Sequence, residues 1–121
     1  MTDLAPVSVS KLAAVSNALV ALHKHQFGRG PTRARTHYAG PDAMLCVLDD
    51  ALLPAEQALV ALGEGLRVEE TRLFFQSATA REFIDTVEQI TGRHVRAFSS
   101  ATDPQAGVVC EIYVFHPEEA A

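Results

Sequence analysis

Apolar residues recur through the first quarter of the chain at spacings of three and four. Leu12, Val15, Leu19 and Leu22 fall on one helical face, and Ser16, Asn17 and Lys24 fall largely elsewhere. Ser8 or Ser10 can cap this helix near Val9. Gly28-Arg29-Gly30-Pro31 ends it, with two residues tolerant of positive φ and one that cannot donate a backbone hydrogen bond. Beyond Pro31 the period changes to alternation. Arg33, Arg35 and His37 take one face of a strand and Ala34, Thr36 and Tyr38 the other. Gly40-Pro41-Asp42 is turn chemistry, and Met44 to Leu48 reads as a strand buried on both sides.

Pro54 suits the first turn of a short helix that turns Leu59 and Leu62 inward and stops at Gly63 and Gly65. A longer helix follows from about Arg67 to Thr91. Its apolar stripe is Val68, Phe75, Phe83, Val87 and Ile90. Thr79 and Glu82 have the spacing of a capping box, but no Gly or Pro intervenes, so a single helix is preferred. After Gly92, His94 to Ser99 is a third strand, Asp103 to Gly107 a turn, and Val108 to Phe115 a fourth strand. In that fourth strand Val108, Cys110, Ile112 and Val114 share one face; Glu111, Tyr113 and Phe115 share the other.

The order α-β-β-α-α-β-β, with short hairpin links, predicts an α+β two-layer sandwich: a four-stranded antiparallel sheet with helices on one face. One domain over residues 8–116 is expected, with a flexible tail at 1–7 and another at 117–121. Each half has a helix ending in Gly-Arg (Gly28-Arg29, Gly92-Arg93) and then a hairpin, which hints at a duplicated unit.

Composition narrows the functional classes. A chain of 121 residues that is 48% hydrophobic supports one globular core. No apolar run approaches the ~18–20 residues that span a bilayer, and the start lacks the basic and apolar segments of a signal peptide. Two cysteines, Cys46 and Cys110, make neither a disulfide framework nor a zinc site by themselves. A reduced protein of the cytoplasm, without membrane insertion, is expected. The net charge of −5 is unevenly laid out. Residues 4–41 hold five cations and no acid, and residues 42–121 hold 14 acids against five arginines. So acidic a chain is repelled at long range by nucleic acid.

The sequence contains no catalytic set, so a non-enzymatic protein without cofactors is expected. The Gly28–Thr32 segment follows a helix instead of opening one, the reverse of a phosphate loop. His23 and His25 diverge by about 200° on a helix, and His37, His94 and His116 lie on different strands. What remains is the sheet face opposite the helices. Arg33, Arg35 and His37 are assigned to it, with His94, Arg96 and Phe98 from the third strand and Glu111, Tyr113 and Phe115 from the fourth. This mixture of arginine, histidine and rings is enriched at protein interfaces. The expected partner surface therefore comprises Arg29, Arg33, Arg35, His37, Arg96 and Tyr113, with a homodimer as the favoured assembly. The alternative is an anion- or single-stranded nucleic-acid-binding module using Arg29, Arg33, Arg35 and Arg96.

Gly28-Arg29-Gly30-Pro31-Thr32-Arg33-Ala34, the apolar strand, Leu52-Leu53-Pro54-Ala55-Glu56, Arg72 and Thr91-Gly92-Arg93-His94-Val95 together resemble the MpsC-like family of small bacterial proteins. The resemblance covers about residues 8–116. It implies a link to a sodium-translocating, membrane-potential-generating system. It transfers no catalytic residue. A chain without a spanning segment would serve such a system as an accessory, in peripheral association with its membrane components. One departure stands out: the resemblance implies Thr-Pro-Ala-Glu as the family's usual pattern where this chain has Leu53-Pro54-Ala55-Glu56, so the side-chain oxygen of the helix cap is lost.

Overall fold

The computed structural model describes residues 4–118, and its elements follow the predicted order: α1 (Leu4–Phe27), β1 (Arg33–Tyr38), β2 (Ala43–Asp49), α2 (Pro54–Ala61), α3 (Gly65–Thr91), β3 (Val95–Asp103) and β4 (Val108–Phe115). Of the expected tails at 1–7 and 117–121, residues 1–3 and 119–121 lie outside the described residues, and residues 4–7 belong to α1. Helix α1 begins at Leu4, before the start near Val9 that Ser8 and Ser10 suggest. Pro6 lies in its first turn, where the missing N–H has no intrahelical acceptor to lose. Helix α3 runs unbroken past Thr79, whose hydroxyl donates to the Phe75 carbonyl at 2.8 Å instead of capping a new start.

The four strands form one antiparallel sheet in the order β1-β2-β4-β3. The equivalent strands of the two hairpins, β2 and β4, meet at the centre, and β1 and β3 form the edges. Helix α1 packs on β1, α3 packs on β3, the two helices touch, and α2 packs on α3. The sheet is therefore roofed on one side. Val15 and Leu19 from α1 and Phe83 and Val87 from α3 close on Met44, Cys46 and Leu48 of β2 and Val109, Tyr113 and Phe115 of β4. Two expected core residues are outside it: Leu62 is 76% exposed, and Phe75 is 40% exposed while touching Phe27 edge-on. Beside Phe75 on α3 the inward positions are held by Arg72 and Gln76, both buried.

Two arginines fasten the loops. Arg29 donates to the Asp50 carbonyl (2.8 Å), the Leu52 carbonyl (3.0 Å) and the Asp50 carboxylate (2.7 Å). Arg93 donates to the Pro41 carbonyl (2.6 Å), the Asp42 carboxylate (2.7 Å) and the His116 carbonyl (2.9 Å), and lies over the Phe115 ring. The Gly-Arg pairs of the two halves thus do the same job. In the first, Gly28 ends α1 at φ +83°, and Gly30 lies so close to α1 that a Cβ there would sit 3.2 Å from the Val20 carbonyl oxygen.

Candidate partner face and the buried polar core

The side of the sheet away from the helices is uncovered by any described element. On β1 it carries Arg33, Arg35 and His37, all exposed, as the alternation predicts. Arg35 pairs with Asp49 across the strands at 3.2 Å. On β4 the alternation is as predicted, but the faces are exchanged. Tyr113, expected on the open face, is fully buried beneath the helices, as are Glu111 and Phe115. Val108, Cys110, Ile112 and Val114 face outward instead, and Ile112 is 43% exposed. The register places Leu45 and Val47 of β2 beside Ile112 and Cys110, with Ser99 and Ala101 of β3 beyond them. Phe98 also turns inward, its ring 4.8 Å from that of Tyr113. The face is thus aliphatic at its centre and cationic along the β1 edge.

The remaining expected site residues do not converge. Arg29 is engaged by Asp50 and Leu52 at the end of α1. Arg96 is exposed in the bulge between Val95 and Ala97, out of the regular alternation. It belongs to the β3 edge, about 14 Å across the sheet from β1, given ~4.8 Å between neighbouring strands. Cations so dispersed do not line one groove for a nucleic-acid backbone.

The exchange of faces on β4 has a physical cause. Glu111 is wholly buried and accepts from Tyr113 Oη at 2.9 Å, while its other oxygen is 2.9 Å from His23 Nε2. A buried carboxylate is tolerated only when hydrogen-bonded in this way. Burial, the Glu111 charge and the hydrogen bond to it push the Tyr113 phenol far above its ordinary range, so it remains a donor. The rings of His23, Phe83, Phe98 and Tyr113 form a chain of edge and stacked contacts that fills the space under α1 and α3. Nearby, Ser16 and Thr36 share a 2.7 Å hydrogen bond. The Cys46 thiol is pushed up to about 11 by burial, in spite of a hydrogen bond with Thr36. Such a thiol stays protonated and inert.

A second buried pair fastens α2 to α3. Arg72, 1% exposed, donates from Nε and Nη2 to the two Glu56 oxygens (2.8 and 2.6 Å) and from Nη2 to the Ala51 carbonyl, with its guanidinium over the Phe27 ring. Glu56 also accepts from the Leu53 N–H at 2.8 Å, so half of a capping box is present although Leu53 has no side-chain oxygen. Burial would raise the Glu56 pKa, but the Arg72 and Leu53 hydrogen bonds and the Arg72 charge outweigh it and hold the carboxyl below its ordinary value. The two pairs tie α1 to β4 and α2 to α3. Among the described residues, no three His, Cys, Asp or Glu groups are grouped as a metal site would require. No helix there is long and apolar enough to cross a membrane.

Fold and surface together define a small α+β two-layer domain with one sheet face covered by helices and the other uncovered by any of the described residues. The chain belongs to the MpsC family: the family described as Na+-translocating membrane potential-generating system (MpsC) matches residues 9–117, nearly the whole length. No curated protein and no solved structure matches the chain.

Proposed function

We propose that this chain is a non-enzymatic binding component of the Na+-translocating membrane potential-generating system, working from outside the bilayer as a homodimer joined through its open sheet faces. The observation that carries this reading is the aliphatic strip of Leu45, Val47, Cys110, Ile112 and Val114 on the uncovered side. Uncovered apolar strips of this kind mark interaction surfaces. Charge favours a second copy as the occupant. Arg33, Asp49, Val108 and Asp103 form a row at one end of the sheet. A two-fold axis running between two such faces, along the strands, lays β1 of one copy over β3 of the other. It sets Arg33 above Asp103 of the second copy while the aliphatic strips meet, as in aligned sheet packing. Sedimentation equilibrium tests this: the native chain should run as a dimer, and Ile112→Glu should run as a monomer with its thermal transition retained. A native monomer, or a dimer indifferent to Ile112→Glu, would remove the reading.

A further inference from the structure

The β3 edge presents a site on the other side of the sheet, independent of the open face. Between α3 and β3 runs a cleft of ≈ 260 Å³, walled by Leu66 and Leu73 of α3 and by Ala101 of β3. Gln76, 4% exposed, and Thr102, 9% exposed, line it with Ser100. Gln76 Nε2, Ser100 Oγ and Thr102 Oγ1 are buried with no hydrogen-bond partner among the described residues. Unpaired buried polar atoms are costly, and three along one cleft point to groups that arrive from outside. Glu69 and Glu70 stand at its rim, and its lining holds no lysine, arginine or histidine.

Strand β3 is an edge, hydrogen-bonded to β4 on one side alone. Arg96 and its bulge guard the start of the strand, but from Ala97 to Thr102 it contains no proline, no charge and no bulge, the usual devices that close an edge to strand addition. We propose that this edge accepts an extended basic peptide segment of a partner protein, which adds a fifth strand beside β3. Its main chain would pair with the free β3 groups. Every second side chain would then point under α3. A hydroxyl or amide there meets Gln76, Ser100 and Thr102; a lysine lays its methylenes on Leu66 and Leu73 and its ammonium against Glu69 and Glu70.

The probe is acetyl-Val-Lys-Val-Thr-Val-Lys-Val-amide, with a second peptide carrying Glu in place of both Lys. Titrated into isotopically labelled protein up to about 1 mM, the scale of a weak peptide contact, the basic peptide should shift and protect the amides of Ser99 to Asp103. The acidic peptide should bind at least about tenfold more weakly, a difference of ~1.4 kcal/mol. The double change Glu69→Lys, Glu70→Lys should reverse that preference. Gln76→Leu, which removes the unpaired donor and fills the same space, should weaken peptide binding with the fold retained. Unperturbed β3 amides, equal binding of the two peptides, or β3 protection that rises with protein concentration in the absence of peptide would each overturn the proposal, the last by assigning the edge to a second copy.

Discussion

At Leu53 one missing oxygen has a defined cost. The residue precedes α2 with extended backbone (φ −73°, ψ 156°), the geometry of an N-cap, and Glu56 already returns its half of the box to the Leu53 N–H. Leu53→Thr would supply the other half, so a gain of about 1 kcal/mol is expected. Thermal melting should register it as a rise of a few degrees. Glu56 itself sets an acid limit. Its pKa is lower folded than unfolded, so its contribution is complete above the unfolded value and is lost as the carboxyl protonates. Denaturant midpoints should therefore fall as pH drops below about 4.5. In Glu56→Gln the acid limb should be shallower and the neutral-pH stability lower by roughly 2 kcal/mol, because Arg72 remains buried with a weaker partner. A variant that keeps the full slope would exclude this pair as its source.

For the elements, the sequence was informative about period and poor about facing. Helix and strand identities and their order are legible from spacing, from Gly28 and Gly92, and from Pro31 and Pro54. In β4 the alternation is equally plain, yet Val-Cys-Ile-Val is more core-like than Glu-Tyr-Phe as composition. The reversal is decided by His23, which lies 88 residues from Glu111 in the chain, a pairing no local window contains. Helix α3 repeats the lesson. Arg72 and Gln76 face inward because Glu56 waits there for Arg72, and Phe75 is displaced to the rim. The same facing settles the cysteines. Cys110 pairs in register with Val47, one position from Cys46, so the two thiols point to opposite sides of the sheet. Alkylation of the native protein should modify Cys110 and spare Cys46, whose thiol ionises only near pH 11. In the proposed dimer Cys110 should be slowed as concentration rises, and mass spectrometry of timed samples distinguishes the two sites.

For the whole molecule, the pairing of halves that the Gly-Arg repeats hint at has a spatial counterpart: hairpin beside hairpin, each under its own helix, each fastened by one arginine. The candidate face was half legible, since Arg33, Arg35 and His37 are where their alternation puts them and the β4 contribution is not. The cleft beside β3 was not legible at all, because its lining joins α3 to a strand edge and no motif marks the meeting. The uneven spread of charge along the chain becomes a spatial asymmetry once folded. The acid-free stretch, with its five cations, builds α1, β1 and their link along one flank, while α3 and β3 on the other hold six acids against four arginines. The protein is in consequence a permanent electric dipole lying crosswise to its strands. Near any charged surface the torque on that dipole orients the molecule during its approach, before a single contact has formed, with the β1 flank leading toward negative charge.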